Sequence, residues 1–228
     1  MADATQSTQT MSTPDPTRVT LDFGAIFRES WTLLRTNATL VTKVFGVMVI
    51  FSLMSNALLA QTSGVIQAVL QLGSFILQLL FGIGSTYIVL AIAANKPVEL
   101  SALWQFTDKL LNYLILMVIY SLLVTVGFLL LVIPGVVWAT KYGLAPLIIA
   151  WKKMEAMEAM RLSAQMTDGY KLQLFIFYLI IVVMNILGAV AFMVGLLITA
   201  PLTYIASGVV FHKLAARIPE LSSDQPSA

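Results

Sequence analysis

The chain has 228 residues, of which 59% are hydrophobic and 11% charged, with a net charge of +2 and a mean hydropathy of +0.90. A soluble domain carries about 25% charged residues, so this composition excludes a water-soluble globule and leaves a membrane domain whose outer surface faces lipid. The chain has no cysteine, which also excludes disulfides, thiolate catalysis and thiolate metal sites.

The opening stretch MADATQSTQTMSTPDPT has neither the basic nor the apolar region of a cleaved signal peptide, and reads as a disordered polar tail over 1–19. DFGAIFRESWTLLRTN follows, with Asp22 placed as an N-cap. Phe23, Phe27, Trp31 and Leu34 share one helical face, and Arg28, Thr32 and Arg35 the other. That is the pattern of an amphipathic helix lying in a membrane interface. Milder versions occur in ELSALWQFTDKLLNY and in KKMEAMEAMRLSAQMTDG, where Met154, Met157, Met160 and Ala164 form the apolar stripe. Each precedes an odd-numbered apolar segment, so the chain reads as an in-plane helix plus a helical hairpin, repeated. Arg28 aligns with Arg161 and Ser30 with Ser163 in that scheme.

Six apolar segments lie at 40–60, 65–94, 110–133, 136–151, 172–194 and 196–214. Crossing about 30 Å of hydrocarbon takes roughly 18 or more apolar residues. The fourth segment reaches only about 24 Å at 1.5 Å per residue, so a re-entrant loop stands beside a full span. Charge decides between them. With all six crossing, Arg18, Arg28, Arg35 and Lys43 share one side with Lys96, Lys109, Lys152, Lys153, Arg161, Lys171, Lys213 and Arg217. Lys and Arg are held in cytoplasmic loops. The reading is therefore an all-α, six-span bundle over 20–215 in a bacterial cytoplasmic (inner) membrane. Both termini are cytoplasmic, and a second polar tail runs over 216–228.

The outer connections read as tight hairpins at QTSG, at Pro134 and Gly135, and at Gly195 ahead of Pro201. Pro146 and Pro201 kink or begin their helices, freeing carbonyls that must be satisfied within the protein.

Lys141 is the sharpest candidate for a ligand site. It lies about 9 Å into the fourth span counted from the Pro134 hairpin. One reading has it snorkel to the outer headgroups beside Trp138 and Tyr142. The other has it hold a phosphate or carboxylate in a wet cavity, because a charge inside the membrane is costly. No acidic residue lies within a span to pair with it, which favours an anionic ligand and argues against a carboxylate proton relay.

The second span carries Gln67, Gln71, Ser74, Gln78, Gly82 and Ser85 on one helical face. They serve either as packing and hydrogen-bonding glue or as the lining of a solute path, with Asn185 answering from across the bundle. His212, the single histidine, cannot make a metal site and reads as an interfacial, solvated side chain. No Gly-rich phosphate loop, His-Glu-x-x-His or intramembrane carboxylate pair occurs, so no enzyme, cofactor or metal is expected. The basic residues suit anionic membrane lipid rather than nucleic acid. A membrane-protein partner or a homo-oligomer is the other expected contact.

IPGVVWATKYGLAPLII, EAMRLSAQMTDGYKLQLF and GLLITAPLTYIASGVVFHKL together carry four features. These are an Ile-Pro-Gly hairpin, an aromatic residue and proline in the next span, an A-x-x-x-S helix ending in a Gly turn, and a Pro-initiated final helix. On them, over about residues 20–215, the chain resembles the glycerophosphodiesterase membrane-domain family and the related YciC-like group of six-helix bacterial integral membrane proteins. The resemblance implies a membrane fold and a role in membrane homeostasis. It implies no hydrolase activity, because the associated phosphodiesterase domain is missing from this sequence. The functional expectation is a non-catalytic protein of membrane organisation or of a membrane complex. The alternative is a transporter or lipid-translocating protein whose path is lined by the second and fourth spans.

Overall fold

The computed structural model describes residues 21–130, 132–190 and 195–222. The expected N-terminal tail over 1–19 lies outside the described residues. All regular structure among the described residues is helical: α1 (Phe23–Thr36), α2 (Ala38–Leu59), α3 (Gly64–Ala93), α4 (Leu110–Leu130), α5 (Val132–Tyr142), α6 (Ala145–Lys152), α7 (Ala156–Met166), α8 (Lys171–Val190), α9 (Leu196–Ala215) and α10 (Pro219–Ser222). Six helical segments are long and apolar enough to cross a membrane, and the fourth of them, Ile133–Lys152, joins α5 to α6. The protein is a multi-pass helical membrane protein.

α1 starts where Asp22 accepts the amide of Ala25 at 3.1 Å, the N-cap expected from sequence. It ends at Asn37, whose side chain donates to the Leu33 carbonyl at 3.0 Å. The face it buries is centred on Ile26, Ser30 and Leu33, and Trp31 is left exposed at the rim. The sequence pattern placed that face too far round, on Phe23, Phe27, Trp31 and Leu34, whereas the buried stripe runs through Ser30. The Ser30 hydroxyl donates to the Ile26 carbonyl at 2.7 Å, so it is buried without an unmet hydrogen bond. α1 packs mainly on α9, and Glu29 reaches Lys213 at 3.4 Å.

After α3, Asn95 takes a left-handed φ of 53° and the chain folds back along the helix it has just left. Here the structure differs from the expected amphipathic helix: two short 3-10 turns, Leu100–Trp104 and Thr107–Lys109, occupy the stretch. Gly84 makes this return possible, since a Cβ there would stand 2.6 Å from the Leu103 Cα and carbonyl oxygen. Phe81 packs edge-on against Trp104 with ring centroids 5.3 Å apart. α4 therefore begins level with the middle of α3.

The Pro134–Gly135 hairpin needs a correction. Pro134 and Gly135 lie inside the first turn of α5 rather than forming the connection. Proline is tolerated there because the first amides of a helix have no intrahelical partner. Gly135 is instead a contact point: a Cβ on Gly127 would meet its Cα at 2.7 Å, so α4 and α5 touch backbone to backbone. Gly188 and Gly195 repeat the device between α8 and α9, at 2.7 Å. Gly195 stands at the N-cap of α9, and Pro201 lies within that helix.

The core lies at the end of the bundle where α1, α6, α7, the second half of α3 and the second half of α9 meet. α7 is a core element: Ala159, Leu162 and Ser163 are fully buried, while Met157, expected in its apolar stripe, is 66% exposed. The expected C-terminal tail keeps structure through α10, where Leu221 is buried, and 223–228 lies outside the described residues.

Candidate functional site

The fourth segment is interrupted at Gly143 and Leu144, between α5 and α6, with Pro146 in the first turn of α6. The interruption leaves the last carbonyls of α5 without helical partners. One of them, on Lys141, accepts the Ser163 hydroxyl of α7 at 2.9 Å and the Thr167 hydroxyl at 3.3 Å. Both hydroxyl-bearing residues are fully buried. This is the local reason for two polar residues inside α7 and its C-cap: they close the end of a helix that would otherwise expose its carbonyl within the protein.

The Lys141 side chain leaves that same point on the opposite side. α5 has 11 residues, about 16 Å at helical rise, and Lys141 is in its last turn. It stands seven residues beyond Pro134 on this helix, the depth expected from the sequence. Its ammonium stands 5.1 Å from the Tyr142 ring centroid. Together with Met157, Arg161, Gln165, Asp168 and Lys171, these two residues line a cleft of 530 Å³. A positive charge in the last turn also complements the negative end of the α5 dipole.

Charge in the cleft is unevenly compensated. Arg161 contacts Glu158 at 4.0 Å and Glu220 at 3.4 Å, and Lys171 contacts Asp168 at 3.3 Å. These pairs are half exposed and add little stability. Lys141, half-buried, makes no ion pair among the described residues. Lined by three cations and one carboxylate, the cleft can accept an anionic group against Lys141 with Arg161 and Lys171 within the same wall.

The other candidates do not converge here. Gln71 and Gln78 are exposed, Gln67 and Ser74 are half-exposed, and only Gly82 and Ser85 of that face pack within the bundle. Asn185 does not answer the α3 stripe; it donates to the Thr203 hydroxyl of α9 at 3.1 Å and to the Ile181 carbonyl at 2.9 Å. It lies on the α9-facing side of α8, below the Gly188–Gly195 contact. His212 is not a solvated side chain: its Nε2 donates to the Leu90 carbonyl of α3 at 2.8 Å, and its ring stacks edge-on against Trp151 at 4.8 Å. No group of three or more His, Cys, Asp or Glu positioned for a metal occurs among the described residues.

Arg161, Gln165, Asp168 and Lys171 escaped the sequence reading because α7 was expected to lie flat on the membrane. The available signal was the 4, 4, 3 spacing of Met157, Arg161, Gln165 and Asp168, a polar face opposite the buried one. A second groove, of 500 Å³, runs between α1, α2 and α9 with Arg35 and Thr42 toward one end and Val49, Ile50, Leu197 and Ile198 along it.

No family model matches this chain, and no curated protein or solved structure matches it either.

Proposed function

We propose that this chain is a non-catalytic protein of the bacterial cytoplasmic membrane that holds an anionic lipid headgroup in the Lys141 cleft and thereby organises the surrounding membrane or a complex within it. Both termini are cytoplasmic on this reading, α1 lies along the inner interface, and α7 is tucked beneath the bundle. The observation that carries the proposal is a half-buried lysine without a carboxylate partner among the described residues, in a wall shared with Arg161 and Lys171. The one-sided distribution of Lys and Arg supports the orientation. The Arg35 groove, with a cation at one end and an apolar floor, also fits a lipid. A role in membrane homeostasis agrees with the resemblance to the YciC-like group.

Transport through the second and fourth spans asks the α3 stripe and Lys141 to face one passage. The geometry favours holding over passage, because Gln71 and Gln78 are exposed and no α3 residue lines the Lys141 cleft.

The test is native mass spectrometry of detergent-released protein, wild type against Lys141→Ala. Anionic phospholipid retained by wild type and lost from the variant supports the reading. Equal lipid retention overturns it. A reporter fused after Glu155 tests the orientation separately and should be found in the cytoplasm.

A further inference from the structure

The first half of α3 is poorly covered by the rest of the described chain. α3 runs for 30 residues, about 45 Å, and its own chain buries it only from Leu80 onward. Before that point Val65, Ile66, Val69, Leu72 and Phe75 are between 48% and 80% exposed, and on the polar face Gln71 and Gln78 are exposed while Gln67 and Ser74 are half-buried. Through the Phe81–Trp104 and Gly84–Leu103 contacts, α4 begins level with the point where this burial starts. The uncovered stretch of α3 therefore shares its layer with α4, whose 21 residues, LLNYLILMVIYSLLVTVGFLL, include no charge. It is a hydrocarbon layer about 30 Å deep.

Into that layer α3 presents three amides. Gln67, Gln71 and Gln78 make no hydrogen bond among the described residues. Lipid tails offer neither donor nor acceptor, so amides at this depth are satisfied only by protein. With Ser74 the residues are spaced 4, 3 and 4, the heptad seam along which two helices wind left-handed around each other. The seam ends just before the chain's own packing begins, at Leu80.

The geometry points to a second copy of this chain as the partner: two copies pair in the membrane through the Gln67, Gln71, Ser74 and Gln78 face of α3. An amide carries both a donor and an acceptor and is thus its own complement. About a two-fold axis along the membrane normal the two α3 helices run parallel, and each residue near the axis meets its own counterpart. Gln71 faces Gln71 and Gln78 faces Gln78, so every amide finds a donor and an acceptor without a foreign chain. Polar residues at such seam positions set register and copy number. This pairing is independent of the Lys141 cleft, which lies on α5, α7 and α8.

The cysteine-free sequence makes the test direct. Full-length Ser74→Cys and Leu72→Cys are expressed singly and oxidised in native membranes. Both positions lie in the uncovered stretch, so neither substitution disturbs the core, and Leu72 points away from the seam. Ser74→Cys should give a disulfide-linked dimer at no less than about ten times the yield of Leu72→Cys. Adding Gln71→Leu and Gln78→Leu to Ser74→Cys should lower that yield several-fold. Equal yields at the two positions, no dimer at Ser74→Cys, or a yield unchanged by the glutamine substitutions overturns the pairing.

Discussion

The hydroxyl of Ser163 donates to the backbone carbonyl of Lys141 at 2.9 Å, so the helix that carries the candidate ligand-binding lysine is closed by a helix 22 residues further along the chain. The position of Lys141 thus depends on α7. Thr167 donates to the same oxygen at 3.3 Å.

Because the two hydroxyls share one acceptor, their removal should be non-additive. Ser163→Ala or Thr167→Ala alone leaves the carbonyl one donor. The double variant orphans it at a cost of about 1–3 kcal/mol. Denaturant unfolding in detergent across the double-mutant cycle checks this, and strictly additive losses would refute the shared cap.

Gly84 and Gly46 should respond oppositely to alanine. At Gly84 the new Cβ meets Leu103 backbone at 2.6 Å, and backbone cannot rotate away. Gly84→Ala should destabilise by about 1–3 kcal/mol. At Gly46 nothing stands within 4 Å, and Gly46→Ala should be neutral or stabilising by up to about 1 kcal/mol through helix propensity. Melting temperatures in the same detergent compare the two, and a destabilised Gly46→Ala beside an unaffected Gly84→Ala would contradict the packing.

His212→Leu should cost only about 0.5–1.5 kcal/mol, despite removing a bond between α9 and α3. The Leu90 carbonyl also accepts the Ala94 amide at 2.9 Å, so that carbonyl keeps a donor, and the leucine keeps apolar contact with Trp151. Unfolding measurements that show complete loss of folded protein would mean His212 does more than this bond.

Segment number was readable from sequence because burial in lipid demands long apolar runs whatever the detailed packing. So was the α1 N-cap, since Asp22 acts through its own neighbouring amides. Placement failed where it depended on distant partners. The chain return at Leu100–Trp104 rests on Gly84, and α7 joins the core because its small residues, Ala159 and Ser163, allow close approach. Asn185 pairs with Thr203 rather than α3 through the rotation of α8 against α9, which helical periodicity alone leaves open. Lys141 stood out in the sequence as a charge inside an apolar run, but the cleft it shares with Arg161 and Lys171 did not, because it forms only once α7 folds against α5.

The Gly127–Gly135 and Gly188–Gly195 contacts bear on how the chain is made. Each joins two helices that are neighbours in the chain, backbone against backbone with side chains of the same two helices beside it, so neither pair needs another part of the molecule to hold its arms together there. As synthesis proceeds, α4 with α5, and later α8 with α9, can pass from the insertion machinery into the bilayer as closed pairs. Assembly of the bundle then becomes the docking of preformed units rather than the sorting of single helices.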